Sequence, residues 1–467
     1  MYLAKNNISN LVSKIAAKFS KKNVNKKILI ITYYWPPSAG SGVQRWLKFA
    51  KYLPQYHWKP IVYTPENPDF SVQDTSLLKD IPAECEVLKQ PIWEPYRLYR
   101  KLSFFRKNKN SINFGVVKTD KKSLANRLVL WLRGNFFVPD PRVFWVRPSV
   151  KFLNNYIENN NIDAIVTTGP PHSMHLIGLA LKKRFNKPWI VDIRDPWSSF
   201  DILEKFSLSE KTKQQQKRLE NEVLENADQI IATSFSMNTF FDEKYADNFV
   251  TITNGFDETD FDFESIDNQE KKHFNIYHIG LLNDLRNPEN LWLALAELCK
   301  ESSDFAEQLN VVLIGQIDEN VKNYVQNHTI LSSKVTFLPY MSHDKVLKTY
   351  EKADLLLLLL NNTFYSKGNI PGKLFEYLAT KKDILCLSDV ESDAAKIVRQ
   401  CEAGKTFEYA DKKGIKKAVQ FYFEKYKNGN NDDVSMSSRK QFSRQHLTAD
   451  LVEAVSYTHL TLPTNGC

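Results

Sequence analysis

A lysine and a glutamate three residues apart, Lys373 and Glu376, stand in the stretch Pro371-Gly372-Lys373-Leu374-Phe375-Glu376-Tyr377-Leu378. Proline suits the first position of a helix, where its missing N–H costs nothing, so Pro371 is expected to open one. Residues three apart then share a face of its first turns. A helix N-terminus that carries a cation and a carboxylate suits an anion attached to a polyol. A nucleotide sugar is such a molecule. A second cation, Arg286, closes His278-Ile279-Gly280-Leu281-Leu282-Asn283-Asp284-Leu285-Arg286 just before Asn287-Pro288 and a new helix. That position favours a ligand site over a solvated loop cation.

Other chemistry-bearing residues are weaker signals. Ser38, Gly40 and Gly42 lie in a turn that opens a helix, where bare N–H groups attract anions. The turn lacks a full G-x-G-x-x-G and has no Walker lysine, and a simple tight turn is the bland alternative. Thr167-Thr168-Gly169-Pro170-Pro171-His172-Ser173-Met174-His175 follows a buried strand, which is where ligand loops sit in open α/β sheets. His172 and His175 have no third metal ligand nearby. His172 is read as a hydrogen-bonding cleft residue, against a structural role of equal weight. Arg194 lies between Asp192 and Asp195, so a ligand-facing role and a structural ion pair stand level. Asp260-Phe261-Asp262 has the D-x-D form of metal sites but falls in a charged stretch that follows no buried strand. It is read as structural, and no metal site is expected.

These residues need strands and helices to position them. Leu355–Leu360 is too short to span a membrane and reads as a strand buried on both faces. Similar runs are expected as strands at 27–33, 59–64, 164–168, 189–193, 229–232, 250–252, 274–279, 311–314, 335–338 and 384–387, with helical patterns between. A charged helix is expected over roughly 209–226. The alternation predicts an α/β chain with two Rossmann-like doubly wound domains. The first spans 27–256 and the second 273–430, with a linker over 257–272. A basic amphipathic segment at 1–26 precedes them, and a helix within 431–455 follows. Residues 456–467 continue no pattern and are expected to be a non-native tail.

The Asp354–Leu378 stretch resembles the donor-site motif of retaining glycosyltransferases with the GT-B fold, those of family four. The resemblance runs from Lys27 to about Val455. It implies two Rossmann-like domains facing across a cleft, with a last helix crossing back to the first. It makes Glu376 the ribose-binding second Glu of an E-x7-E pattern, whose first Glu is replaced here by Gly368. It places the Gly40–Gly42 loop near the donor phosphate or the transferred sugar, and likens Val191–Trp197 to an acceptor-side loop. Where the family often has Gly-Arg and a Lys six after the Gly, this chain has Gly280-Leu281 and Arg286. Lys373 is the candidate for the missing cation. The expected function is glycosyl transfer from a nucleoside diphosphate sugar to a hydroxyl of a glycan or lipid-linked acceptor in cell-surface polysaccharide synthesis, with retention. Arg286, Lys373 and His172 are the expected catalytic residues. Gly40, Gly42, Gly280, Gly372, Glu376 and Arg194 are the expected substrate contacts. No cofactor beyond the donor is expected. A sugar-nucleotide epimerase and a non-catalytic nucleotide-sugar-binding or membrane-scaffold protein are the alternatives.

Bulk properties set the outer limits. The chain has 467 residues, 42% of them hydrophobic, enough for two or three domains. Five scattered cysteines without a C-x-x-C pair fit a reducing cytoplasm. The net charge of +9 is uneven: residues 1–27 carry +7 and residues 97–133 carry +10, leaving about −8 elsewhere by difference. Within 8–19, apolar residues recur at helical spacing between lysines, as in a short basic amphipathic helix. These two patches suit an anionic membrane surface, which points to a cytoplasmic protein peripheral at the inner face of the membrane. No nucleic-acid-binding motif accompanies them.

Overall fold

A computed structural model describes residues 26–69, 73–94, 124–199, 203, 206–261, 272–361, 367–429 and 436–461. All of the basic segment at 1–26 but Lys26, and most of 97–133, lie outside the described residues, as do most of the linker and the end of the tail.

Two parallel sheets organise the chain. The first has seven strands: β1 (Lys26–Ile31), β2 (Trp58–Pro65), β3 (Glu86–Gln90), β4 (Ala164–Gly169), β5 (Trp189–Ile193), β6 (Gln229–Ala232) and β7 (Phe249–Thr251). The second has six: β8 (Phe274–Ile279), β9 (Leu309–Ile314), β10 (Val335–Leu338), β11 (Leu355–Leu359), β12 (Asp383–Leu387) and β13 (Gly404–Phe407). Their orders are β3-β2-β1-β4-β5-β6-β7 and β10-β9-β8-β11-β12-β13. Every pairing is parallel, for example Ile30 opposite Val166 and Leu357 opposite Leu385. Helices cover both faces, so the central strands have no polar side. All five residues of β11 are buried, as a strand between two helical layers requires.

Each order reverses direction once, between β1 and β4 and between β8 and β11. At such a switch the connections on either side run to opposite faces and leave a crevice at the C-terminal strand ends, where ligands bind in open α/β sheets. The Gly40 turn follows β1, the His172 turn follows β4, the Gly280 loop follows β8 and the Pro371 loop follows β11. All four chemistry-bearing loops therefore sit at the two switch points.

The last helix, Arg444–Thr461, places Leu447, Leu451, Ala454 and Val455 in the core cluster of the first sheet, with Trp46, Leu47 and Ala50. Burying such side chains contributes roughly 1.5–3 kcal/mol each, which ties the C-terminal end to the N-terminal half. This helix begins later than expected, after a tight turn at Lys440–Phe442, and runs through Ser456 to Thr461. The break in side-chain pattern at 456 does not stop it, because its backbone hydrogen bonds continue without needing a buried face. No helix among the described residues is long and apolar enough to cross a membrane.

Candidate functional site

A cavity of about 390 Å³ opens between the two sheets, within the range of small-molecule sites. Gly40, Gln44 and Lys48 from the first half line it. Ile279, Tyr340, His343, Gly372, Lys373 and Glu376 line it from the second. Asp257, Asp260 and Arg444 come from the crossing segments.

Helix Gly372–Ala379 carries the two residues that began the argument. Pro371 is extended at φ −68 and ψ 141, so it is the cap and Gly372 is the first helical residue. The one-residue difference from expectation leaves the Gly372 N–H facing the end of the helix. Lys373 Nζ donates to the Ile279 carbonyl at the end of β8. Gly280, at φ 135, makes room for it: a Cβ there would collide with the ammonium. Only glycine adopts that backbone conformation without strain. Burial lowers the Lys373 pKa, Arg286 lowers it further and Glu376 only partly opposes them, leaving it at about 8. Arg286 sits behind Lys373 in a tight turn at Asp284–Arg286. It donates to Asn361 Oδ1 at 2.6 Å and to the Leu281 carbonyl at 3.4 Å. Burial lowers its pKa as well. Two cations thus repel each other at one switch point, and neither has a carboxylate within ion-pair distance among the described residues.

Glu376 takes a hydrogen bond from Tyr350 Oη. Its other oxygen lies 3.8 Å from His343 Nδ1, while His343 Nε2 lies 4.0 Å from Asp260. Burial lowers the His343 pKa, but Asp260 and Glu376 outweigh it and the net shift is upward. His343 therefore bridges the carboxylate of one half and an acidic cluster attached to the other.

That cluster gives the structural role of Asp260 its content. Asp260 is held in an ion-pair cluster at the start of the linker. Lys48 Nζ lies 2.8 Å from Asp80, 2.8 Å from Asp257 and 2.7 Å from Asp260. Lys51 adds contacts to Asp80 and Asp257 at 3.1 and 2.8 Å. Burial raises the Asp257 pKa, but Lys48, Lys51 and Tyr52 together hold it far below the usual carboxylate range. The three carboxylates are close enough to hold a cation, and the Lys48 ammonium lies among them as one. Asp262, the second acid of the D-x-D, lies outside the described residues.

The remaining expected site residues gather elsewhere. His172 and Arg194 do not line this cavity. His172 is stacked on Trp197 with ring centroids 4.5 Å apart, and its Nδ1 is buried without a partner. Burial, then His175 and Arg194, hold its pKa well below the ordinary value, so it is neutral. A buried imidazole stacked on an indole packs first and hydrogen-bonds second. Arg194 donates to the carbonyls of Gly169 and Pro170 and, among the described residues, to no aspartate. Asp192 instead pairs with Arg45 at 2.8 Å and accepts from Trp46 and Thr168. Gly42 joins this second group, since a Cβ there would lie 2.7 Å from Arg194 Nη1. Of the expected residues in the first turn, Gly40 reaches the cavity, next to Ala39. A Cβ at Gly368 would meet Ser234, Ser236 and Phe240 at 3.5–3.7 Å. That position therefore lies in a contact between the halves, and Ser236 nearby also bonds Asp393.

Sequence reasoning missed Lys48, His343, Tyr350 and Arg444. His343 follows β10, so the rule that ligands lie at C-terminal strand ends would have found it. Lys48 and Arg444 had no such signal.

No family model and no curated protein matches the chain. Solved structures do. A glycosyltransferase from Rickettsia africae ESF-5 superposes with a TM-score of 0.58 at 15% identity, over 95% of this chain and 100% of that one. The fold is GT-B. Anabaena Alr3699/HepE, solved in complex with UDP-glucose, has a TM-score of 0.56 at 16% identity, over 92% and 99% of the two chains. A putative UDP-N-acetylglucosamine 2-epimerase from Listeria monocytogenes has 0.52 at 10%, over 94% and 98%. At these identities the shared GT-B architecture is what the likeness establishes, and function must be argued from the site.

Proposed function

We propose that this GT-B protein is a glycosyltransferase that moves a sugar from a nucleoside diphosphate sugar to a hydroxyl of a glycan or lipid-linked acceptor in cell-surface polysaccharide synthesis. The observation that carries the reading is the pair Arg286 and Lys373. Lys373 stands in the first turn of its helix, Arg286 is close enough to lower its pKa, and neither has a carboxylate at ion-pair distance among the described residues. A diphosphate supplies the anionic partner. In the reaction the bond from the anomeric carbon to the β-phosphate oxygen breaks, its electron pair leaves with the diphosphate, the acceptor hydroxyl oxygen bonds to the carbon, and the hydroxyl proton passes to the released diphosphate. Negative charge grows on the leaving group where the two cations and the Gly372 N–H can neutralise it, and a preorganised donor of this kind contributes about 3–4 kcal/mol. Glu376, an acceptor-only group one turn along, suits the ribose hydroxyls. Gly40 closes the cavity from the other half. The reaction is proposed to retain configuration, and NMR of the product decides that point.

The epimerase reading keeps one favourable feature, the ionisable trio Asp260, His343 and Glu376 within the cavity. Incubation with a panel of nucleotide sugars, with and without lipid-linked acceptors, separates the readings. Acceptor-dependent release of nucleoside diphosphate, reduced at least a hundredfold in both Arg286→Ala and Lys373→Ala, is expected. An epimerised nucleotide sugar formed without acceptor, or normal turnover in both variants, overturns the proposal.

A further inference from the structure

Arg444 stands at the start of the last helix and is only 5% exposed. Its backbone N–H donates to the Phe256 carbonyl at 2.7 Å, which fixes it at the crossing point between the halves. Its side chain lines the cavity that holds Lys373 and Glu376, and its buried Nη1 has no hydrogen-bond partner among the described residues. A guanidinium donates in a fixed plane and cannot accept, so a buried unpartnered N–H is costly until an acceptor arrives.

The surroundings say which acceptor. Burial and Arg45 lower the Arg444 pKa to about 9, while Asp257, Asp260 and Glu376 oppose them. Asp257, Asp260 and Glu376 line the same cavity as Arg444, so a further anion placed there would meet three carboxylates, and a neutral oxygen fits better. The walls beside it are apolar: Phe256, Ile279, Met341 and Val346 belong to one hydrophobic cluster. The Tyr340 ring at the same cavity is 71% exposed. A flat ring carrying carbonyl oxygens satisfies both features.

Resting on the donor-site reading above, we propose that Arg444 hydrogen-bonds a carbonyl oxygen of the donor's nucleobase and so selects carbonyl-bearing bases over adenine.

Calorimetric titration of the full chain and of Arg444→Met with UDP, GDP, ADP and base-free pyrophosphate tests this. Methionine keeps the length and removes the donors. The wild type is expected to bind UDP or GDP at least tenfold more tightly than ADP. Arg444→Met is expected to lose that preference while pyrophosphate and ADP affinities stay within twofold. An unchanged preference overturns the assignment, and equal weakening of all ligands, pyrophosphate included, assigns Arg444 to phosphate instead and also overturns it. A wild type that binds no nucleoside diphosphate rejects the donor-site reading and this one with it, a result distinct from both. Thermal unfolding of Arg444→Met is expected at or above the wild-type temperature. A fall with retained base preference in Arg444→Lys would make the residue structural.

Discussion

Replacing Lys373 by methionine separates what the cation does for the fold from what it does for a ligand. The side chain is half-buried, donates to the Ile279 carbonyl and faces Arg286. Its pKa falls from 10.5 to about 8, chiefly through burial and then through Arg286. At 1.36 kcal/mol per pKa unit, keeping it charged in the empty cleft costs about 3 kcal/mol at most, because water screens part of the effect. The folded pKa lies below the unfolded one. The penalty is therefore complete below pH 8 and fades as pH rises from about 8 toward 10.5. Lys373→Met should accordingly be more stable than wild type at pH 7, by roughly 1–3 kcal/mol, with the advantage shrinking above pH 8. A bound diphosphate reverses the balance by raising the lysine pKa. Nucleoside diphosphate affinity should fall as pH passes 8, approaching tenfold per unit and about a hundredfold overall. Calorimetry in buffers of different ionisation enthalpy should register proton uptake on binding between pH 8 and 9. The methionine variant should bind weakly at every pH and take up no proton. Affinity that is flat from pH 7 to 9.5, or the same pH profile in the variant, would refute the placement of the diphosphate at Lys373.

Three further outcomes follow from other parts of the molecule. His343 has a raised pKa through Asp260 and Glu376, so its contribution to stability is complete below its ordinary range and is lost as pH rises through the folded value. Urea unfolding should find His343→Gln less stable than wild type by about 1 kcal/mol at pH 5.5 and indistinguishable at pH 9; a difference that persists at pH 9 would show packing and not charge at work. Lys48 lies among Asp80, Asp257 and Asp260, so transfer activity should survive EDTA; loss restored by a divalent cation would count against the site as described. Exposed Trp93 and Phe144 touch edge to face, and exposed Trp131 and Phe136 form a second such pair, and in sequence Trp93 precedes and Phe136 follows the basic stretch 97–133. Co-sedimentation should therefore be stronger with anionic than with neutral vesicles and should weaken with salt, each cation adding about 1 kcal/mol; equal binding to both would remove the membrane surface from the proposal.

Local pattern in the chain determined the strand list, the two-sheet plan and four loops that carry chemistry. Apolar runs bounded by polar turns mark strands buried on both faces, and β5, β6, β8 and β10 lie where those runs lie. β3 and β13 escaped because edge strands have one solvated side: Glu86-Val87-Leu88-Lys89-Gln90 and Gly404-Lys405-Thr406-Phe407 show no buried run. Lys373 and Glu376 were legible because helical spacing alone puts them on one face. Tertiary structure alone decided which distant groups meet. Asp192 chose Arg45, 147 residues away, over its neighbour Arg194. Lys48 pairs with Asp257 and Asp260 from the charged linker, and Arg444 reached the cavity only because its helix folds back onto the first half. Periodicity reports which face of an element is buried. It carries no information about which charge from another element will be buried against that face, since that pairing is fixed only when the sheets and the crossing helix pack together.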